Sequence, residues 1–319
     1  MRLNLMLEAQ EGMTYDDLLR LAQRAEQVGL DGMYRSDHYS SVAGREGLGS
    51  TDAWATIAGL ARETSVLTLG TLVSPATFRT IGNLAKMVAT VSAMAGAGPD
   101  GGSRIVLGMG TGWLEAEHRR HGFPFEDLDT RFRRLEEHLE VLSRFWDDST
   151  HPFDFEGQFV TTSDSRFVPA PQPRPRIVIG GSGMRRSPRL AAQFADELNG
   201  VLLTLEDCRR QRAALNEACT RIGHDPASVG YSLMTRCVVG ADEDDFRRRA
   251  AREQGRSGQS GSLDEWLGQL NPAWITGTPD QAREQLTRLA EAGVDQVMLQ
   301  HLLFDDLDML DVIAEHLRI

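Results

Sequence analysis

Short apolar runs and amphipathic stretches alternate along the chain almost from end to end. Eight runs read as buried strands: Arg2–Leu7, Leu30–Ser36, Val66–Val73, the run opening at Arg104, Arg176–Ile179, Glu197–Leu203, Val229–Val239 and Val294–Gln300. Most are too short for a buried helix, and turn residues bound them. The stretches between them carry helical spacing. The clearest is Phe132, Leu135, Leu139, Leu142 and Trp146, separated by three and four positions, which forms one apolar stripe. Helix starts are marked by Thr14 with Asp17 and by Thr278-Pro279-Asp280-Gln281, where a hydroxyl and a side chain three residues on satisfy each other's free amides.

The alternation fails twice, over Asp147–Pro175 and Asp242–Pro272. The first is rich in Phe and Pro and suggests a hairpin; the second reads as helix, loop, helix. Strands that alternate with helices pair in parallel. Eight of them imply a (β/α)8 TIM barrel, one domain over residues 1–319 with the two excursions as insertions. An open doubly wound sheet is the alternative. In a barrel the site lies at the carboxyl ends of the strands, where this chain places Glu8, Asp37, His38, the Gly110–Glu115 segment, Gly180–Gly183, Asn199, Gln300 and His301, and where both excursions are expected to wall the substrate pocket.

Composition narrows the function classes. A net charge of −12 argues against nucleic acid or an anionic membrane surface as partner. No apolar run reaches the roughly 20 residues of a membrane span, and the N-terminal residues lack a signal-peptide cleavage pattern. Cys208, Cys219 and Cys237 are odd in number and lack metal-ligand spacing, so a reducing cytoplasmic setting is expected.

The candidate chemistry is concentrated in Arg104–His118, where an apolar strand breaks into Gly108-Met109-Gly110-Thr111-Gly112-Trp113. Glycine at a strand end lets backbone approach a ligand or another chain segment. The spacing does not match the Gly-x-Gly-x-x-Gly of dinucleotide-binding folds. Gly180-Gly181-Ser182-Gly183 precedes a helix, where free amides and the helix dipole suit a phosphate; Arg185, Arg186 and Arg189 either add charge there or form a solvated face. His38 is either a satisfied core histidine or a proton carrier, a role its near-neutral titration suits. His118 and His121 have no further ligand nearby in sequence, which argues against a metal.

Five segments, in order, resemble the luciferase-like flavin and deazaflavin oxidoreductases: Ser36-Asp37-His38; Leu69–Ser74 with Phe78-Arg79; Gly108–Trp113 with Glu117-His118 and Gly122-Phe123-Pro124; Arg174–Gly183; and Gly277-Thr278-Pro279 with Glu291–Asp295. No single segment is specific, but their order spans most of the chain. The resemblance is to the coenzyme F420-dependent branch. It implies a ring bound at the barrel mouth by Asp37, Thr71, Leu72, Val73, Gly110, Thr111 and the Gly180, Gly181, Ser182, Gly183 loop. It also implies a cis peptide between Leu72 and Val73 behind the ring. His38 would serve the reaction, with Asp37 orienting it or meeting the ring edge. Trp113 stands where sugar-phosphate-oxidising relatives carry a catalytic glutamate, which puts that substrate in doubt; it covers a pocket or fills core. Glu115 is the reserve acid, or a surface carboxylate.

The expected activity is hydride transfer between F420 and a small organic molecule. The alternatives are an FMN-dependent monooxygenase served by a separate flavin reductase and oxygen, and a cofactor-binding barrel without catalysis. Relatives commonly form homodimers, which is the expected assembly.

Overall fold

The computed structural model describes residues 1–45, 47–147 and 151–319. Residue 46, in the glycine-rich loop after the second strand, and residues 148–150 of the first excursion lie outside the described residues. The eight expected strands are present as β1 (Arg2–Leu7), β2 (Gly32–Arg35), β3 (Thr68–Thr71), β4 (Ile105–Gly110), β5 (Arg176–Gly180), β6 (Glu197–Val201), β7 (Gly230–Val239) and β8 (Gln296–Gln300). All neighbours are parallel, and β8 pairs with β1 through Arg2↔Gln296 to Met6↔Gln300. That pairing closes the sheet and excludes the open doubly wound alternative.

Strand alternation sorts the side chains into two cores. Leu3, Leu5 and Leu7 of β1 pack outward against the helical ring, which includes α1 (Tyr15–Gln27), α2 (Ala53–Glu63) and α3 (Ile81–Ala95). Met6, Tyr34, Val106, Val178, Met234 and Met298 fill the barrel interior beneath Leu72. Below them lies a polar layer. Asn4 donates to Gln296 at 3.2 Å, Gln296 donates to Glu197, and Ser232 donates to Glu197 at 2.5 Å. Burial raises the Glu197 carboxyl above its ordinary range, against those hydrogen bonds. This layer plugs the barrel floor and leaves the carboxyl pole as the open end.

The helix starts follow the expected chemistry. Thr14 and Asp17 form a reciprocal cap on α1, and Thr278 and Gln281 do so at the helix Pro279–Glu291. After β4 the chain forms α4 (Glu115–His121) and α5 (Leu128–Asp147), whose buried stripe holds Leu135, Leu139, Leu142 and Trp146. The Ile275–Gly277 strand beside β7 was not expected from the pattern; three residues are too few to show alternation.

The two excursions differ from expectation in what they wall. The first contains the hairpin Phe153–Glu156 with Thr161–Ser165. Its turn amides at Gln158, Phe159 and Val160 donate to Glu137 of α5, and Lys86 of α3 donates to the Val168 carbonyl. Its described residues therefore clad the outside of α3 and α5 and contribute nothing to the barrel-mouth cavity. The second excursion forms a helix at Glu243–Ser257 and another at Leu263–Gly268, and brings Arg256 to the cavity wall.

Candidate active site

A cavity of about 730 Å³ opens at the carboxyl pole. Its back wall is the end of β3, where the chain leaves the strand at Leu72-Val73 and pairs again with β4 through Ser74 and Pro75. The Leu72–Val73 peptide is cis, as the resemblance implied. Thr71 is fully buried beneath this bulge; its hydroxyl donates to the Gly108 carbonyl at 3.3 Å and lies 3.2 Å from the Ser74 hydroxyl.

The glycines around the bulge have a packing role that sequence reading assigned mainly to a ligand. A Cβ on Gly110 would lie 2.7 Å from Val73 Cγ2, and one on Gly180 would lie 2.6 Å from Val73 Cγ1. Both residues also line the cavity. Gly180→Ala is therefore expected to lower stability by about 1–3 kcal/mol, the usual cost of overpacking. Adding Val73→Ala should return most of that loss, measured by urea unfolding; a double variant no more stable than the single one would remove Val73 from the account.

His38 follows β2 and lines the cavity. Its Nδ1 lies 2.9 Å from Glu117 Oε2, while Glu117 Oε1 accepts from the amides of Tyr39 at 2.5 Å and Ser40 at 2.9 Å. Glu117 is 1% exposed. Burial opposes the charged form of each partner, but their mutual attraction prevails. The His38 ring is raised above its ordinary 6.5, and the Glu117 carboxyl is lowered. A carboxylate only accepts, so Nδ1 carries the proton and Nε2 is the nitrogen available to the cavity. Trp113 sits edge-on to His38 at 5.9 Å between ring centroids, is 61% exposed and lines the cavity. It does not fill core.

Of the other expected residues, Leu72, Val73, Gly110, Thr111, Gly180, Gly181 and Ser182 line the same cavity. Asp37, Thr71, Gly183 and Glu115 do not. Asp37 accepts from Ser74 at 2.7 Å and pairs with Arg79 at 2.5 Å, so it anchors the β3 bulge, and Glu117 takes the partnership with His38 expected of it. Glu115 is exposed and pairs with Arg119 one helical turn on, so the reserve-acid role finds no support in its placement. Arg186 and Arg189 pair with Asp129 and Glu136 of α5 on the surface. His118 is fully buried, with Nε2 2.7 Å from Thr77 Oγ1 and Nδ1 2.8 Å from the Leu114 carbonyl. Among the described residues no cluster of three metal-ligating side chains occurs, and no helix is long and apolar enough to cross a membrane.

The sequence placed Glu8, Asn199 and Gln300 at the strand ends without a role, and it did not single out Arg236, Glu253 or Arg256. Gln300 donates to Glu8 at 2.5 Å and accepts from Arg236 at 3.1 Å; Glu253 lies behind, 1% exposed, and takes Arg256 at 2.7 Å. Asn199 is fully buried and donates to Ser232 at 2.8 Å, but its carbonyl oxygen has no hydrogen-bond partner. The glycine loop after β5 is held from behind, with Gln211 donating to the carbonyls of Gly181 at 2.8 Å and Gly183 at 3.1 Å. It leads into α6 (Arg186–Phe194), whose first turn has no side-chain cap.

Comparison with known proteins agrees with this architecture. The chain is 27% identical over 249 residues to an FMNH2-dependent dimethylsulfone monooxygenase of Pseudomonas putida, covering 70% of this chain and 66% of that protein, just under two thirds of its length. It is 32% identical over 161 residues to an F420-dependent glucose-6-phosphate dehydrogenase of Intrasporangium calvum, covering 50% of this chain and 46% of that one. An F420-dependent secondary alcohol dehydrogenase, solved with an F420–acetone adduct, shares the fold with a TM-score of 0.80 at 19% identity, over 100% of this chain and 99% of that one. These relatives are oxidoreductases that use F420 or flavin. The sequence profile of the luciferase-like monooxygenases matches residues 1–296, and the chain belongs to that family.

Proposed function

We propose that this protein is a coenzyme F420-dependent oxidoreductase that interconverts an alcohol and a carbonyl compound, or a related pair. The observation that carries the proposal is His38, fixed through Nδ1 by a buried carboxylate and presenting Nε2 to the cavity beside Trp113.

The cavity residues fit the ring such a cofactor carries. The volume falls within the roughly 300–1,000 Å³ of small-molecule sites. Leu72, Val73, Val201 and Met234 supply apolar wall, and the unpartnered carbonyl oxygen of Asn199 is an acceptor for a ring N–H. The Gly180–Ser182 loop and the uncapped start of α6 would take a phosphate. When bound, the deazaflavin supplies the hydride acceptor or donor. The protein's own task is the proton. Neutral His38 accepts at Nε2 the proton an alcohol loses as it becomes a carbonyl, and donates it back in the reverse direction. Glu117 holds the Nδ1 proton and stabilises the imidazolium, the division of labour of a base and its orienting carboxylate.

The longer match to the dimethylsulfone monooxygenase favours a second reading, an FMN-dependent monooxygenase needing a reductase and oxygen. Titration of both cofactors against the protein's tryptophan fluorescence separates them. Trp54, Trp146 and Trp266 are buried in packing, whereas Trp113 lines the cavity. F420 should bind at least tenfold more tightly than FMN, and Trp113→Phe should remove most of the quench. Tighter FMN binding, with oxygen consumption when a reductase is added, would establish the monooxygenase instead.

A further inference from the structure

A second chamber of about 460 Å³ adjoins the cavity, and the two share the side chains of Glu8, Glu11, Arg256 and Leu302 as walls. It lies between the end of β1, the segment after β8 and the helix Glu243–Ser257. Met13, Leu302, Leu303 and Phe304 give it an apolar lining.

The charged groups on its walls are already engaged. Glu8 accepts from Gln10 at 2.7 Å and from Gln300 at 2.5 Å. Glu11 accepts from Ser41 at 2.8 Å and from the Val42 amide at 2.9 Å. Arg252 makes two 2.7 Å bonds to Asp305, and Arg256 makes two 2.7 Å bonds to Glu253. Arg45 donates to the Arg256 carbonyl. Such a wall does not select an ion, because a charged ligand would have to compete with partners already in place.

One polar group remains unmet. His301, directly after β8, is 1% exposed and lines the chamber. Neither ring nitrogen meets hydrogen-bond geometry with a described residue, although the Asp306 backbone lies close to the ring and leaves at most one of the two nitrogens open to it. Burial pushes the ring down to about 4, against the pull of nearby Asp306, so it is neutral near pH 7 and offers one donor and one acceptor. A ligand hydroxyl, which both donates and accepts, matches a buried neutral imidazole whose ring nitrogens lack a well-formed protein partner.

From this arrangement we infer that the chamber receives the far end of an elongated, uncharged substrate: an apolar chain or ring system bearing a hydroxyl or carbonyl remote from the reacting carbon, recognised by His301. The assignment of this end as the tail rests on the proposed reaction at His38; the binding itself does not.

The test compares a secondary alcohol of about ten carbons with the same alcohol carrying a second hydroxyl at its far end. In the full-length protein labelled with 15N-histidine, the His301 ring signals, assigned with His301→Gln, should shift on addition of the diol and much less with the mono-alcohol. In turnover with F420, the wild type should prefer the diol in kcat/KM, and His301→Leu should cut the diol-to-mono-alcohol ratio about tenfold, the scale of one lost buried hydrogen bond. If His301→Leu does not fold, the wild-type preference and the ring shift still decide. A ring signal unmoved by the diol overturns the chamber assignment, whatever the turnover. A shift without oxidation of either alcohol leaves the chamber standing and removes the alcohol reading of His38. Oxidation of both at equal efficiency with no shift does the reverse.

Discussion

His38→Ala should cut turnover by a factor of roughly 10²–10⁴, the usual contribution of a general acid or base, while F420 affinity stays within a few-fold. The two effects separate because the groups separate. The cofactor-facing surfaces proposed above belong to the Leu72-Val73 bulge, Asn199 and the Gly180–Ser182 loop, none of which His38 holds in place. The alanine variant also removes a partner from buried Glu117, which keeps the Tyr39 and Ser40 amides. His38→Asn is the better control, since its amide can still donate to the carboxylate but cannot carry a proton. Both variants should lose turnover with a substrate found by screening alcohols and enones with oxidised or reduced F420. Unchanged turnover would make His38 structural. The role could not then pass to Glu115, which is paired with Arg119 outside the cavity; Glu8 and Glu11 are the cavity carboxylates that would have to be tested. Lost cofactor affinity would make His38 a binding residue.

The barrel was legible because its strands are buried on both faces and so appear as continuous apolar runs, while the helices keep one stripe. The site was legible in outline, since strand ends in a closed barrel converge on one pole and carry His38, Gly110 and Gly180 there. The partners were not. Asp37 is adjacent to His38, but successive residues of an extended chain point to opposite sides, so Asp37 turns to Ser74 and Arg79 while His38 enters the cavity. Glu115 and Glu117 are two positions apart on a helix, about 200° around its axis, so only one can reach His38. The choice depends on how α4 rotates against the loop after β2, a contact across 79 positions that no local pattern encodes. The first excursion was visible only as a failure of periodicity. Its side of the barrel is decided by Glu137 capturing the hairpin turn, again a long-range contact. The role of Gly180 was half legible: a bare backbone was evident, but that Val73 fills the space was not.

Glu117→Gln should lower turnover about a hundredfold and also move its pH dependence, which distinguishes an electrostatic role from a packing one. The substitution keeps size and shape but replaces an all-acceptor group that receives three hydrogen bonds. If the new NH2 faces His38, Nδ1 must become the acceptor, the proton shifts to Nε2, and the ring presents the wrong tautomer to the substrate. If it faces Tyr39 and Ser40, donors oppose donors. The sign of the pH effect follows from the raised His38 titration. Alcohol oxidation needs the neutral ring as base, so wild-type kcat/KM should rise with pH through a midpoint above 6.5. Carbonyl reduction needs the imidazolium and should fall through the same midpoint. Without the carboxylate the charge that favours imidazolium is gone, while burial, which disfavours it, remains. The midpoint should therefore move to lower pH in both directions of reaction, with a reduced plateau. A kcat/KM profile for Glu117→Gln that keeps the wild-type midpoint would show that this carboxylate does not tune His38, and the dyad would lose its place in the chemistry.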